Sequence, residues 1–283
     1  MIRNLFVSLC PVFCFFSFLQ VQTRPAVNGE RSIVLVTTSY NNSKWYKRNL
    51  DAIFEQNYSN WKIIYVDDLS PDGTRELVEN YVQDSPFEDK VVIVKNERRK
   101  LKVENFYHAV HTYCDDDDIV IDYDGDDWLA HPDVLSIINQ IYEDPEVWIT
   151  YGSYVNWPKP LGCCCEQISQ EFIDNNSYRY KRWMASHLKS FYAWLFKKIR
   201  PESLQFQGQF FDMAGDLAFM FPMLEMAGGR FKFVPDVLYI YNTGNPLNDC
   251  KKNRKRQFFL DSVIRGKPRY ERLVCSPLQK RGI

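Results

Sequence analysis

The sequence lacks a glycine-rich phosphate-binding loop. Neither G-x-G-x-x-G nor G-x-x-x-x-G-K-[ST] occurs anywhere in its 283 residues. Those loops are the fingerprints of dinucleotide-binding and P-loop proteins, so the sequence disfavours both classes. If the chain binds a nucleotide, carboxylates at strand ends and a metal ion must hold it instead.

An excess of charge of one sign is also absent. The 35 Lys and Arg residues nearly balance the 36 Asp and Glu residues, and the net charge is −1. Nucleic-acid binding relies on a strongly basic surface, so we expect no nucleic-acid partner. The hydrophobic content of 45% describes a globular protein with a sizeable core, built as one large domain or two small ones.

No C-x-x-C pair occurs among the eight cysteines, so a zinc site is not expected. Three of the cysteines are consecutive, at residues 163–165. Neighbouring cysteines rarely bridge each other without strain. If the chain is exported, a bridge from this triplet to Cys250 or Cys275 is an open alternative.

An uncharged apolar run, LFVSLCPVFCFFSFL, fills residues 5–19 and follows Arg3. The run is short for a membrane span, which needs about 20 residues, and it suits the core of a signal peptide. No clean A-x-A cleavage site follows. We predict that residues 1–27 are a signal peptide or a short membrane anchor, with a buried helix as the alternative. The protein is then membrane-associated or exported, and the side of the membrane stays open.

Alternating strand and helix patterns follow this leader. Apolar, β-branched runs predict strands at 32–38, 61–66, 91–95 and 119–122, and amphipathic spacing predicts helices at 45–56, 74–82 and 105–113. This order indicates βαβ units and a parallel sheet. Further strands are expected at 147–155, 231–234 and 237–241, and a helix at 217–226. We predict an α/β fold with a mostly parallel central sheet flanked by helices.

The stretch IVIDYDGDDW, residues 119–128, ends the fourth strand in a cluster of carboxylates. Open α/β sheets bind their ligands just beyond such strand ends. Carboxylates this close repel one another unless a cation lies among them, and hard oxygen ligands suit Mg²⁺ or Mn²⁺. The alternative is a polar turn with a helix cap, since Asp is favoured in both.

Three motifs in this order resemble the family 2 glycosyltransferases of the GT-A fold. They are T-S-Y-N at 38–41, V-D-D-L-S-P-D-G-T at 66–74 and D-G-D-D-W at 124–128. The resemblance covers residues 32–248. It implies a single, Rossmann-like GT-A domain over residues 31–249. In that domain, residues 31–128 would bind a nucleotide sugar and residues 129–249 would bind the acceptor.

The resemblance assigns the base of the donor nucleotide to Thr38, Tyr40 and Asp68, or to the neighbouring Asp67. A carboxylate can accept the N–H of a base, and a tyrosine ring can stack on it. A helix-capping turn is the alternative role for the two aspartates.

The same resemblance places Arg99 on the nucleotide, with Arg98 as a rival and a solvated charge as the alternative. In the D-x-D motif, Asp124 would face the ribose. Asp126 would ligate the divalent cation, Mn²⁺ or Mg²⁺, that bridges the diphosphate.

On the acceptor side, the stretch H-L-K-S-F at 187–191 resembles one seen in relatives. We assign His187 and Trp128 to this side, with a structural role as the alternative for a lone histidine. Relatives carry an acidic pair at the start of a helix where this chain has Gly215 and Asp216. Asp216 would then be the general base, with a helix N-cap as its alternative role.

The activity implied is metal-dependent, inverting transfer of a sugar from a nucleotide-diphosphate donor, first of all a UDP-sugar, to a hydroxyl of a glycan, lipid or protein. A nucleotidyltransferase is an alternative, but it would show a glycine-rich basic loop where T-S-Y-N stands. A non-catalytic sugar-binding or scaffold protein of the same fold is another, because of Gly215. The tail, residues 250–283, begins with the basic run KKNRKR, which suits a solvated face, a loop closing over the diphosphate or an anionic membrane contact.

Overall fold

A computed structural model describes residues 29–83, 85–162 and 165–278, with the backbone alone at 249 and 250. The predicted leader and two cysteines of the triplet, Cys163 and Cys164, lie outside these ranges. Among the described residues, Cys114 and Cys275 are free thiols. No helix in this part of the chain is long and apolar enough to span a bilayer.

The first half alternates strands and helices. Its strands are β1 (Ile33–Ser39), β2 (Trp61–Asp67), β3 (Val91–Lys95), β4 (Ile119–Asp124) and β5 (Trp128–Leu129). Its helices are α1 (Tyr46–Phe54), α2 (Thr74–Gln83), α3 (Leu101–Tyr113) and α4 (Val134–Ile141). The four strands predicted here and the three helices are confirmed, with ends shifted by a few residues.

The second half is less regular. Its strands are β6 (Ile149–Trp157), β7 (Lys189–Tyr192), β8 (Gln205–Phe206), β9 (Gln209–Phe210) and β10 (Phe231–Asn242). Its helices are α5 (Gln170–Asp174), α6 (Ala193–Lys197), α7 (Gly215–Ala227), α8 (Asp249–Lys252) and α9 (Arg254–Arg265). Short 3-10 helices lie at Glu88–Lys90, Tyr178–Tyr180 and Pro201–Leu204.

Eight strands of the described chain form one sheet in the order β3-β2-β1-β4-β7-β6-β10-β5. The pairs β3–β2, β2–β1, β1–β4 and β6–β10 are parallel, while β7 runs antiparallel to β4 and β6, and β5 runs antiparallel to β10. The predicted α/β domain with a mostly parallel sheet flanked by helices is confirmed. The two short strands expected at 231–234 and 237–241 are one strand, because register shifts near Val237 let β10 continue across the irregularity.

The core fixes the helices that carry the site. Phe106 of α3 stacks on Phe219 of α7 with ring centroids 5.4 Å apart, and Phe191 and Phe196 pack around them. Such aromatic pairs stabilise a contact beyond the area they bury. Because of this contact, the first turn of α3 and the first turn of α7 lie side by side.

The tail packs on the domain through a buried ion pair. Arg179 and Glu225 are 3% and 0% exposed, with Arg179 Nε 2.5 Å from Glu225 Oε1. Arg179 also donates to the carbonyl of Ile264 in α9 at 2.6 Å, and Glu225 accepts the backbone N–H of Tyr270 at 3.0 Å. Helix α9 and the segment after it therefore belong to the folded structure.

Candidate active site

A cleft of about 520 Å³ opens at the carboxyl ends of β1, β2 and β4. Ligands of open α/β sheets bind at this edge. The strand register sets Thr38 beside Asp124 and Ser39 beside Asp67. The predicted site residues on the cleft wall are Thr38, Tyr40, Asp68, Arg99, Asp124, Asp126, His187 and Asp216.

Strained backbone surrounds this cleft. Non-glycine residues with left-handed φ angles follow β1 and β2 and precede or begin α3 and α7. They are Asn41 (58°), Leu69 (60°), Leu101 (66°) and Ala214 (57°). Each such conformation costs about 1–3 kcal/mol, and such residues concentrate at functional sites. This clustering marks the cleft independently of the sequence motifs.

Asp68 is the hydrogen-bonding centre of the nucleotide side. Its carboxylate accepts the backbone N–H groups of Lys100 (2.8 Å) and Leu101 (3.0 Å), the side-chain amide of Asn96 (2.9 Å) and Nε of Arg99 (3.1 Å). Burial raises the pKa of Asp68, but hydrogen bonds from Lys100, Asn105, Leu101 and Asn96 outweigh it, so the pKa lies below its ordinary value. Asp68 therefore stays ionised and caps the start of α3.

Arg99 lies between the residues assigned to the base. Its guanidinium carbon is 3.3 Å from the centroid of the Tyr40 ring. Asp68 anchors the same guanidinium from its edge. Asp67, by contrast, accepts the backbone N–H of Ser70 at 3.0 Å and does not line the cleft. The structure thus brings Asp68, not Asp67, to the cleft surface, and gives Asp67 the turn-capping contact.

Two lysines and three aspartates form an ion-pair cluster at the cleft floor. Lys102 Nζ lies 2.6 Å from Asp124 Oδ1, 3.2 Å from Asp122 Oδ1 and 3.5 Å from Asp216 Oδ1. Lys189 Nζ lies 2.9 Å from Asp122 Oδ2 and 3.0 Å from Asp216 Oδ2. Lys189 and Asp122 are fully buried, whereas the Lys102 side chain is 28% exposed. Lys102 is therefore the cation of this cluster that an incoming ligand can reach.

Asp216 lies in the first turn of α7, as the sequence predicted. Burial raises its pKa, but the ammonium groups of Lys189 and Lys102 outweigh that effect and hold the pKa well below its ordinary value. At the neighbouring Gly215, a Cβ atom would lie 2.7 Å from Cγ2 of Val103 in α3. An acidic side chain at position 215 would therefore require Val103 to move.

Asp124, Asp127 and His187 bring their ligand atoms within 4.8 Å of one another, close enough to share a metal ion. Asp126, predicted as the metal ligand, is outside this trio, and its Oδ2 accepts the side-chain amide of Asn245 at 2.7 Å. Burial, and then the charge of Asp124, raises the pKa of Asp126 to about 6. A divalent cation would offset the repulsion among these acids.

His187 is 5% exposed and lies flat on Tyr239, with ring centroids 4.5 Å apart and an interplanar angle of 2°. Burial, and then the charge of Lys189, lowers the pKa of His187 to about 3. Its Nδ1 atom is buried and has no hydrogen-bond partner among the described residues. A neutral, fixed imidazole with an unpartnered nitrogen fits a metal ligand, and two carboxylates with one imidazole suit Mn²⁺.

Trp128 lies outside the cleft. Its ring is 5% exposed, with the Arg48 guanidinium carbon 3.7 Å from its centroid. It lines a second cavity of about 660 Å³ beside α1, together with Trp157. Trp128 was assigned to the acceptor side, but it is not among the residues that line the cleft.

The sequence analysis gave no role to Lys102, Lys189 or Asn245. Lys189 stands inside the quoted H-L-K-S-F stretch, and its position next to His187 was the available signal. Lys102 and Asn245 carried no comparable signal, because each meets its partner only through the fold.

Comparison with known proteins agrees with this geometry. Residues 34–160 match the family model described as glycosyl transferase family 2. The chain is 26% identical over 106 residues to "Putative glycosyltransferase EpsE" of Bacillus subtilis (strain 168), covering 38% of this chain and 36% of that protein. It is 32% identical over 54 residues to "Putative teichuronic acid biosynthesis glycosyltransferase TuaG" of the same organism, covering 19% of this chain and 21% of that protein. The chain thus spans well under half the length of each relative.

Solved structures share the fold. The mannosyltransferase PcManGT from Pyrobaculum calidifontis, in complex with GDP-Man and Mn²⁺, matches with a TM-score of 0.57 and 21% identity, over 87% of this chain and 68% of that one. S. aureus TarS 1-349, in complex with UDP-GlcNAc, matches with a TM-score of 0.57 and 14% identity, over 75% of this chain and 58% of that one. At these identities the likeness shows the fold. Residues 34–160 are therefore similar to glycosyltransferase family 2, and the chain shares the GT-A fold of these structures.

Proposed function

We propose that this protein transfers a sugar from a nucleotide-diphosphate donor, first of all a UDP-sugar, to an acceptor hydroxyl, with inversion at the anomeric carbon. One observation carries the proposal. Asp68, Asp124 and Asp126 at the strand ends and Asp216 at the start of α7 line the same cleft. Donor-holding carboxylates on one wall and a base on the other fit a single in-line displacement. The likeness to structures bound to UDP-GlcNAc and GDP-Man supports a nucleotide-sugar donor.

Asp124, Asp127 and His187 would hold a divalent cation, and Asp126 beside them is the ligand that the family resemblance assigns. When bound, the cation would supply charge stabilisation for a departing diphosphate, worth several kcal/mol. The protein's part is to fix the ligands: Asn245 orients Asp126, and Tyr239 orients His187. The Mn²⁺ in the PcManGT complex supports this assignment.

Asp216 would accept the proton of the acceptor hydroxyl. In the structure its carboxylate is ionised and held by Lys102 and Lys189, which makes it a weak base. A diphosphate in the cleft could pair with Lys102, because Lys102 is the cation of the cluster that is partly exposed. If Lys102 turns to the phosphates, the pKa of Asp216 rises and its oxygen becomes available. General-base assistance is worth about 10²–10⁴-fold in rate.

A non-catalytic, sugar-binding role in the same fold is the second candidate. The observation that favours it is the pairing of Asp216 with two ammonium groups, together with Gly215 in place of an acid. Both roles predict that a nucleotide or a sugar binds. Only the transferase role predicts transfer or donor hydrolysis, with a loss in Asp216→Asn.

The test is a thermal-shift titration of the full chain with UDP, GDP and other nucleotides, each with Mn²⁺ or with EDTA. A ligand at 100 times its Kd should add about 2.7 kcal/mol of stability. We expect a Mn²⁺-dependent shift with one nucleotide class, lost in Asp126→Ala. Asp117→Asn, which removes an exposed carboxylate outside the cleft, is the matched control.

Absence of a shift with every nucleotide, in protein that melts cooperatively, would rule out the donor site. A shift without turnover of any UDP- or GDP-sugar would instead favour the sugar-binding role. The two outcomes separate the two candidate functions.

A further inference from the structure

Helix α9 exposes two large aromatic side chains. Phe258 and Phe259 are 60% and 48% exposed, whereas Leu260 and Ile264 of the same helix are buried. Exposed apolar groups that adjoin one another mark surfaces that contact something else. The outward face of α9 therefore requires an explanation that the cleft does not provide.

Basic side chains flank these rings. Lys252, Arg254 and Lys255 are exposed, and none of the ion pairs found in the described part of the chain involves them. The Arg254 guanidinium carbon lies 5.3 Å from the centroid of the Phe258 ring. Arg256 differs, because it is paired with Asp212 at 3.2 Å. Three charges of one sign thus border two exposed rings.

The apolar part of this surface extends to a neighbouring element. The ring of Phe206 in β8 lies 5.6 Å from that of Phe259 and meets it edge to face. We call Lys252, Arg254, Lys255, Phe258 and Phe259 the α9 surface. It combines an aromatic centre with a basic border, whereas the chain as a whole is nearly neutral.

We propose that the α9 surface binds the face of an anionic lipid bilayer. Basic residues next to a bilayer are attracted to anionic headgroups, and aromatic rings enter the boundary between headgroups and acyl chains. Both components are needed. The basic border alone would suit any polyanion, but two adjoining exposed phenylalanines gain from a ligand that offers an apolar phase.

The docked surface would bring the mouth of the cleft to the membrane. Lys252 and the α9 residue Gln257 line the cleft, and so does Asp212, the partner of Arg256. The substrate class that fits this geometry is an acceptor hydroxyl carried by a membrane lipid. This last step rests on the proposed function, whereas the bilayer contact does not.

The experiment is co-sedimentation of the full chain with vesicles of phosphatidylcholine, with and without phosphatidylglycerol. The apolar run at residues 5–19 can bind either vesicle, so the measured quantity is the gain in affinity caused by the anionic lipid. Each basic residue near an anionic surface contributes about fivefold. Arg254→Glu with Lys255→Glu should therefore reduce the gain by about 25-fold or more. Acidic residues suit the first turn of a helix, so this variant should fold.

Two further variants sharpen the test. Lys198→Glu with Lys232→Glu changes the net charge equally at exposed sites outside α9 and should bind like the wild type. Phe258→Ser with Phe259→Ser keeps the charge and should weaken binding to anionic vesicles about tenfold, because it removes the apolar anchor.

Equal loss in both charge variants would show a general charge effect and overturn the proposal. Unchanged binding of the phenylalanine variant would also overturn it, because the surface would then serve a soluble polyanion. Nucleotide-induced thermal shifts of the same variants report separately on the donor site. A failed donor site with intact vesicle binding would reject the proposed function and leave the bilayer contact standing.

Discussion

Replacing Lys189 with methionine removes a positive charge from the buried floor of the cleft. Methionine keeps most of the side-chain volume but leaves Asp122, which is fully buried, without its partner at 2.9 Å. Breaking a buried ion pair from one side costs about 3–5 kcal/mol. Lys102 remains 3.2 Å from Asp122, so we expect the lower end, about 3 kcal/mol. For a domain of this size class, that loss lowers Tm by roughly 6–12 °C.

The assay is urea unfolding of four full-length proteins: the wild type, Lys189→Met, Asp122→Asn and the double variant. The double variant should be more stable than Lys189→Met alone, because an amide in place of Asp122 needs no counter-ion. A loss below about 1 kcal/mol for Lys189→Met would refute the reasoning, since losses of that size are ordinary for point variants. So would a double variant no more stable than the single one.

Three other predictions concern the metal site and the buried ion pair between Arg179 and Glu225. Lys102→Met should tighten Mn²⁺ binding by the ligand-free protein about tenfold or more, measured by calorimetry. The reason is that the Lys102 ammonium, 2.6 Å from Asp124 Oδ1, opposes a second cation at that carboxylate. Weaker binding would contradict competition between Lys102 and the metal. Mn²⁺ affinity should fall as the pH drops below about 6, by at most about tenfold per pH unit. The reason is that the raised pKa of Asp126 keeps a proton on the carboxylate, which the metal must displace. A flat profile across that pH would exclude Asp126 as a ligand. Arg179→Met should lose about 3–5 kcal/mol in thermal unfolding, because it leaves the buried Glu225 unpaired, and an unchanged Tm would mean that the pair contributes little.

The βαβ half of the fold could be predicted because the sequence of each strand is itself enough to indicate a buried strand. Residues 33–36 of β1 are fully buried and wholly apolar, so their sequence alone marks a strand covered on both faces. The strand β7 could not be predicted in the same way. It is four residues long and begins with Lys189, whose charge is neutralised by Asp122, its cross-strand partner in β4. No local pattern shows that pairing.

Some residues of the candidate site could also be predicted from local sequence, whereas others depend on the tertiary fold. Asp124, the last residue of β4, and Asp68, the residue after β2, were found from order and motif because strand ends meet at one edge of a sheet. His187 was assigned to the acceptor side, and its proximity to Asp124 and Asp127 depends on the tertiary fold. In the tail, the basic run obscured the helical spacing of Leu260 and Ile264, which pack α9 on the domain.

A nucleotide base that stacks on Tyr40 would have to displace the guanidinium of Arg99. That flat guanidinium already stacks on Tyr40 and is anchored by Asp68, in the place where the family resemblance puts a flat base. A nucleotide would therefore replace one stacked, hydrogen-bonded group with another, and its affinity would be the difference between two similar interactions. In the absence of a nucleotide, Arg99 covers the face of the Tyr40 ring. After displacement from Tyr40, the Arg99 guanidinium would remain within reach of the phosphates. Only a ligand that carries both a base and a negative charge would gain both interactions.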